Sequence, residues 1–236
     1  STRLGGVSSG HLSSMNLGIS RGDDPENVKK NFEILGDAAG FDSGAVVMSQ
    51  QEHTTNLHFA RGEDKGKGVT RPRGWTEIDG FITNEPGVVL FTSYADCVPL
   101  FFADPVHHAI GLSHSGWRGT AKRMGEATIR RMTEEFGSDP KDMIAAIGPS
   151  ICQACYEVSE DVALQFPEDC LIRKENGKYQ LDLERANYQI FLESGISEEH
   201  ISTSGLCTSC NKDLLYSHRA SKGLRGNLGG FLEIRA

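Results

Sequence analysis

Two histidines and one cysteine occupy the same local setting, at or just past the end of an apolar stretch. They are His53, Cys97 and His114, which follow or interrupt the apolar runs 45–48, 88–92 with 98–102, and 109–112. Strand ends of this kind can meet at one edge of a sheet, where ligand sites of α/β folds lie. Two imidazoles and a thiolate suit Zn²⁺, and three protein ligands leave a fourth position open, as in catalytic zinc sites.

Spacing alone leaves other interpretations of these residues open. The intervals between them match no short metal motif, and a lone cysteine in a strand is most often a small buried hydrophobe. Cys97 and His114 could also form a nucleophile and base pair.

The other cysteines include two C-x-x-C pairs, Cys152 with Cys155 and Cys207 with Cys210. The interval between the pairs exceeds the roughly 15 to 20 residues of the usual four-cysteine zinc motif. We therefore predict that these cysteines are reduced thiols that line or support the active pocket, in preference to a four-cysteine zinc site. The segment 149–155 also lacks the nucleobase-deaminase signature, which places proline directly before its C-x-x-C.

Arginines near the histidine motif and near the amino end could bind an anion. Arg118 lies at the start of the helix expected after His114, where free N–H groups and a guanidinium can hold phosphate. A solvated surface arginine beside Lys122 is the alternative. Arg3 precedes a Gly/Ser-rich stretch that could form an anion-binding backbone nest. Acid–base candidates beside the motifs are Asp79, Asp96 and Glu157, each of which is more commonly a structural hydrogen-bond acceptor.

Strand and helix signals alternate along the chain. Asp24 and Pro25 predict a helix start, and the helix is expected to end at Gly36; further helices are predicted over 121–136 and 182–195. Strands are predicted at 45–48, 88–92, 98–102, 109–112, 143–147, 214–217 and 231–234, with an exposed loop over 61–75. Without a repeat or a linker, the pattern predicts one α/β (α+β) domain over 1–236, with a mixed sheet and flanking helices.

The charge and hydropathy of the chain indicate which kinds of partner it is not expected to bind. The chain has 24 Lys plus Arg against 32 Asp plus Glu, a net charge of −8, which disfavours nucleic acid and anionic membranes. No apolar stretch reaches the ~20 residues that span a bilayer. The first residues lack the apolar segment of a secretion signal, so we expect a cytoplasmic protein, as monomer or homodimer.

Several motifs together resemble the YfiH/laccase-domain family. They are Gln51-Glu52-His53, Ala95-Asp96-Cys97-Val98-Pro99, His114-Ser115-Gly116-Trp117-Arg118-Gly119, Ile147-Gly148-Pro149-Ser150-Ile151, Cys155-Tyr156-Glu157-Val158, Cys207-Thr208, Tyr216-Ser217-His218-Arg219, and at the amino end 2–8 with Asn16-Leu17-Gly18. The resemblance runs in order from residue 2 to residue 235.

The resemblance implies a YfiH-like fold and zinc bound by His53, Cys97 and His114. It also implies a purine nucleoside phosphorylase that acts on adenosine, inosine and methylthioadenosine, with phosphate as co-substrate and free base and ribose 1-phosphate as products. Adenosine deaminase activity is expected as well. Arg3, Asn16 and Arg118 are then the candidates for substrate binding.

An older description of the family as copper-dependent polyphenol oxidases, or laccases, can be tested on the sequence. Multicopper oxidases bind their copper cluster through paired His-x-His motifs. This chain has eight histidines and no His-x-His, so such a cluster cannot form, although the His/His/Cys set also suits a single Cu²⁺. A Cys97/His114 hydrolase remains a third alternative.

Overall fold

Strands and helices alternate along residues 1–235, which are the residues described by the computed structural model. The helices are α1 (Pro25–Ala39), α2 (Trp117–Ala121), α3 (Met124–Phe136), α4 (Glu160–Ala163) and α5 (Leu183–Glu193). The strands are β1 (Val46–Val47), β2 (Leu57–Phe59), β3 (Gly80–Thr83), β4 (Val89–Tyr94), β5 (Val98–Asp104), β6 (Ala109–Ser115), β7 (Ile144–Ile147), β8 (Glu157–Val158), β9 (Leu171–Arg173), β10 (Tyr179–Leu181), β11 (Ile201–Thr203) and β12 (Leu228–Leu232). This arrangement confirms the predicted mixed α/β class. Ala236, the last residue of the predicted domain, lies outside the described residues.

The largest sheet has six strands in the order β11-β7-β5-β6-β3-β2. Its centre is antiparallel, and its outer pairs β11–β7 and β2–β3 are parallel. A second sheet has the order β1-β4-β12, and a third has the order β8-β10-β9. The Tyr94 hydroxyl at the end of β4 donates to the Ser113 carbonyl of β6 at 3.1 Å, which joins the first two sheets next to His114.

Apolar side chains on the helices cover these sheets. On α5, Phe191 packs against Phe102 of β5 with ring centroids 5.1 Å apart. On α1, Phe32 packs edge-on against Phe91 of β4 at 4.9 Å. All four rings are buried, and full burial of such a side chain stabilises the fold by about 1.5–3 kcal/mol.

Several local predictions differ from the structure. Helix α1 continues past Gly36 to Ala39 and ends at Gly40 with φ 78°, because Gly36 allows close packing: a Cβ there would lie 2.7 Å from the Phe41 carbonyl. The predicted helix 121–136 is two helices, separated where Arg123 adopts φ 61°. Residues 214–217 are mostly buried but do not form a strand. Six strands, namely β2, β3 and β8 to β11, lie outside the predicted strands.

Across residues 1–235, none of the helices combines the length and the apolar character needed to cross a membrane.

Candidate active site

The structure brings together the three residues of the proposed metal site. His53, Cys97 and His114 each offer a ligand atom, and these atoms lie within 4.8 Å of one another. His114 lies near the end of β6, Cys97 lies in the short link between β4 and β5, and His53 lies in the loop after β1. The two imidazole rings are 4.8 Å apart at an interplanar angle of 63°. The donor set and its convergence fit one metal ion with an open fourth position.

The Cys97 link depends on Asp96, which adopts φ 87°. One carboxylate oxygen of Asp96 accepts from the Thr208 hydroxyl at 2.6 Å, and the other accepts from the Arg219 backbone N–H at 2.7 Å. The Asp96 carbonyl accepts from Ile151 N–H at 3.0 Å. Asp96 is therefore a structural acceptor that fixes the turn carrying Cys97.

Asp79 is fully buried and positions both histidine ligands. Its carboxylate accepts the backbone N–H groups of Glu52, His53 and Thr54 at 3.1, 3.0 and 2.8 Å, which holds His53 at φ 58°. The same carboxylate lies 2.9 Å from His114 Nδ1. Since Nδ1 is bonded to Asp79, Nε2 is the nitrogen of His114 left for the metal, as in carboxylate–histidine–metal sites.

The protonation states follow from these contacts. Burial opposes the charge on Asp79, but the hydrogen bonds from His114 and from the backbone lower its pKa. Burial also opposes the charge on His114, but the neighbouring Cys97 and Asp79 raise the pKa of His114 to about 9. A metal ion at this position would take the place of that proton.

His53 is prepared for a ligand in a different way. Burial, with repulsion from His114, lowers the pKa of His53 to about 4, so the ring is neutral near pH 7. Its Nδ1 is buried and has no hydrogen-bond partner within residues 1–235. Gly116 makes room for the ligands, since a Cβ there would lie 2.6 Å from His53 Nδ1 and 3.0 Å from Cys97 Sγ.

The three ligands line a cleft that opens to solvent. Three arginines, Arg21, Arg73 and Arg225, line the same cleft with Ser93 and Asn227. The arginines that form ion pairs within residues 1–235 are others, namely 123, 130, 131, 185 and 235. Burial, with repulsion from Arg21, lowers the pKa of Arg225 to about 10, so it stays charged near pH 7. The cleft is therefore positive in a protein of net charge −8.

Sequence reasoning missed these three arginines. Each is followed by glycine, at positions 22, 74 and 226. That signal is not specific, because Arg61 also precedes a glycine and its guanidinium packs over the Phe59 ring at 4.2 Å instead.

Arg3 and Asn16, the substrate-binding candidates at the amino end, serve the fold instead of the cleft. The Arg3 guanidinium donates to the carbonyls of Ser13 and Lys212 and lines a separate cavity. Asn16 is fully buried. Its amide oxygen accepts from the N–H groups of Gly18 and Asn227, at 2.9 Å each, so it fixes two segments that line the cleft without reaching into it.

The remaining candidates lie around the metal ligands. Burial and His114 lower the pKa of His53, and the charge of Arg118 adds a smaller lowering against the opposing effect of Asp79, which places Arg118 near the metal ligands. Its guanidinium packs over the ring of Trp117 at 4.3 Å, and it is absent from the residues that line the cleft. Glu157 is ion-paired with Lys174 and Lys178 at 2.5 and 3.0 Å, a structural role.

Comparison with known proteins gives consistent results over the whole chain. Residues 1–235 match the family model described as multi-copper polyphenol oxidoreductase laccase. The chain is 39% identical over 241 residues to the purine nucleoside phosphorylase YlmD of Bacillus subtilis (strain 168), covering 99% of this chain and 87% of that protein.

Solved structures show the same fold. The crystal structure of YlmD from Geobacillus stearothermophilus matches with a TM-score of 0.96 at 33% identity, covering 100% of this chain and 90% of that one. The crystal structure of the Bacillus licheniformis hypothetical protein YfiH matches with a TM-score of 0.96 at 31% identity, covering 99% and 91%.

Proposed function

The chain belongs to the multi-copper polyphenol oxidoreductase laccase family, and from this premise we propose that it is a purine nucleoside phosphorylase with adenosine deaminase activity. Its substrates are adenosine, inosine and methylthioadenosine with phosphate, and the products are the free base and the pentose 1-phosphate. A relative of the same family carries the name purine nucleoside phosphorylase. One domain over residues 1–236, a cytoplasmic location and a monomeric or homodimeric state remain predictions from the sequence.

One observation supports this proposal above the others: the three-ligand metal group lines the same cleft as three arginines that have no carboxylate partner within residues 1–235. A phosphate dianion is the kind of co-substrate that guanidinium groups bind through charge-assisted, bidentate hydrogen bonds. Arg225 is half-buried, and a positive charge there is costly unless an anion compensates it, whereas Arg21 and Arg73 are exposed. The cleft therefore favours a reaction with an anionic reactant over one with neutral reactants alone.

In phosphorolysis the phosphate attacks the anomeric carbon while the purine departs, and positive charge develops on the sugar. We assign phosphate binding to Arg21, Arg73 and Arg225, with Arg118 as a further contributor beside His53. Fixed guanidinium groups orient the nucleophile and hold its charge next to the developing oxocarbenium character. Asp79 keeps His114 in the correct orientation throughout.

The metal group is assigned to His53, Cys97 and His114, and we propose Zn²⁺ as the ion. When bound, zinc supplies a Lewis acid for the departing base in phosphorolysis and for the water used in deamination. The residues of this chain hold it through one thiolate and two imidazoles, a borderline-soft set that also binds copper. Elemental analysis separates the two metals.

The structure gives no support to a laccase with several coppers. Within residues 1–235, the groups of ligand residues that could hold a metal are the triad and a set of four cysteines. Neither is the histidine-rich set that a multinuclear copper site uses. A single-copper phenol oxidase or a Cys97/His114 hydrolase would be shown by turnover of a phenol or an ester that exceeds nucleoside turnover.

The proposal is tested by Arg225→Ala, with Arg61→Ala as a matched control that removes an Arg-Gly arginine outside the cleft. Loss of a charge-assisted contact to phosphate costs about 1.5–3 kcal/mol, which corresponds to a fall of roughly 10- to 150-fold in kcat/KM for phosphate. Inosine is assayed at varied phosphate by chromatography of hypoxanthine. Purine release by the wild type that does not depend on phosphate, or equal effects of the two substitutions, would refute the assignment.

A further inference from the structure

The four cysteines of the two C-x-x-C pairs converge at one point on the molecule. The Sγ atoms of Cys152, Cys155, Cys207 and Cys210 all lie within 4.8 Å of one another. Across the two pairs, the Sγ atoms of Cys155 and Cys210 lie 3.5 Å apart. This cluster has no ligand in common with the His53, Cys97 and His114 site.

Backbone pairing explains why the long interval between the pairs does not separate them. Ser150 and Cys207 form a parallel bridge, in which Ser150 N–H donates to the Leu206 carbonyl at 3.2 Å and Thr208 N–H donates to the Ser150 carbonyl at 3.0 Å. Cys207 is itself part of this bridge, and Cys152 follows Ser150 by two residues, so both C-x-x-C segments start at the same place. The length of chain between the pairs, which disfavours a four-cysteine site on sequence grounds, therefore does not set the distance between them.

The contacts around Cys207 match those of a metal thiolate. Its Sγ accepts a hydrogen bond from the Cys152 N–H at 3.3 Å, across the two pairs, and from the Cys210 N–H at 3.4 Å, within its own pair. Such donors stabilise negative charge on sulfur. Cys207 is buried, whereas Cys210 lies at the surface, so the cluster is reachable by an ion from solvent.

We propose that Cys152, Cys155, Cys207 and Cys210 bind one Zn²⁺ in a closed, tetrahedral, structural site. Zn–S bonds of about 2.3 Å require neighbouring sulfurs about 3.8 Å apart. The sulfurs of Cys155 and Cys210 are 3.5 Å apart, and all four lie within 4.8 Å of one another. Four protein thiolates leave no open position for substrate, so the role of this zinc is structural. Two disulfides are the competing arrangement, but the four sulfurs share one centre and hydrogen bonds cross between the pairs.

This zinc would stabilise the segments that hold the turn of Cys97 in the active site. The segments it joins are those that hold Asp96: Ile151 donates to the Asp96 carbonyl and Thr208 donates to its carboxylate. Asp96 in turn fixes the turn that carries Cys97. The inference does not depend on which reaction the cleft catalyses.

The test is the zinc content per chain after purification under reducing conditions. We expect two zinc ions in the wild type, and one in Cys207→Ser and in His114→Ala. Cys170→Ser is the matched control, because Cys170 is a free cysteine outside both groups, and it keeps two. X-ray absorption of the His114→Ala protein, which holds only the second ion, should show four sulfur neighbours at about 2.3 Å.

Loss of this zinc should also lower the Tm by about 5 °C or more, because metal binding adds to folding stability. If Cys207→Ser does not fold, the exposed Cys210→Ser replaces it with the same expected zinc count. One zinc in the wild type that Cys207→Ser retains, a disulfide among the four cysteines by mass spectrometry, or iron in place of zinc would overturn the proposal.

Discussion

Replacement of Asp79 by asparagine tests whether the carboxylate prepares His114 for a metal. Asp79→Asn keeps the side-chain shape but removes the negative charge that His114 Nδ1 contacts at 2.9 Å. The new amide also turns a donor toward groups that donate, which include the Thr54 N–H and hydroxyl at 2.8 and 2.9 Å. We therefore expect a weaker hold on both His114 and the loop of His53.

The size of the effect follows from the role of the carboxylate beside His114. Removal of an outer carboxylate partner of a metal-binding histidine typically costs 10- to 100-fold in metal affinity, equivalent to about 1.4–2.8 kcal/mol. The assay is the zinc dissociation constant of the first site, measured by competition with a chromophoric chelator in the Cys207→Ser background. Turnover of inosine should fall in parallel at limiting zinc.

Asp104→Asn is the control for general destabilisation. Asp104 is also buried and contacts His107 Nδ1 at 2.8 Å, and it accepts the N–H groups of Val106 and His107 at 2.8 and 3.1 Å. The substitution therefore disrupts a similar set of hydrogen bonds at the opposite end of β5 from Cys97. Zinc affinity that stays within threefold of the wild type in Asp79→Asn, or that falls equally in Asp104→Asn, would refute the reasoning.

Further substitutions probe the cleft and the fold. Arg118→Ala should lower phosphorolysis roughly 10- to 150-fold and deamination of adenosine much less, measured by chromatography; equal losses would remove Arg118 from phosphate binding. Gly116→Ala should lower zinc affinity more than about tenfold, because the new Cβ meets His53 and Cys97. The control Gly119→Ala places its Cβ no closer than 3.5 Å to any neighbour and should bind zinc normally. Equal zinc affinities of the two variants would contradict the packing argument. Burial opposes the charge on Asp64, but hydrogen bonds from Lys67, Arg61 and His58 lower its pKa. The ionised carboxylate therefore stabilises the fold above the unfolded pKa of about 3.9, and this stability is lost as the pH falls. Asp64→Asn should thus reduce the free energy of unfolding by urea at pH 7 and leave it nearly unchanged at pH 2; the same loss at both pH values would argue against it.

The metal ligands could be proposed from sequence because the motifs around His53, Cys97 and His114 resemble those of the YfiH/laccase-domain family, whereas the apolar runs beside them left other interpretations open. In the structure these residues come from two sheets, and the link between β4 and β5 joins the two. The positions of the arginines could not be proposed from sequence. Arg21, Arg73 and Arg225 lie in loops far apart in sequence, and Arg61 carries the same Arg-Gly pattern without facing the cleft. Only long-range pairing, such as the Asn16 bridge between Gly18 and Asn227, brings these loops together.

The dependence on long-range pairing also explains why some secondary-structure predictions were wrong. The strand β3 has only two apolar residues between Gly80 and Thr83, too few for a pattern, and it is a strand because β2 and β6 pair with it. Leu215 and Tyr216 are buried but lie outside any strand, so their apolar character predicts burial but not conformation. The interval between the cysteine pairs predicts separation, whereas the bridge at Ser150 decides their proximity.

The most direct test of the central claim is the identity of the sugar product, followed by ³¹P NMR on zinc-loaded protein with inosine and phosphate. Our account predicts that a ribose 1-phosphate resonance grows in equal amount to the hypoxanthine released. It also predicts that Arg225→Ala slows this reaction at low phosphate and that His114→Ala abolishes it. Hypoxanthine released together with free ribose, at a rate independent of phosphate, would contradict the account.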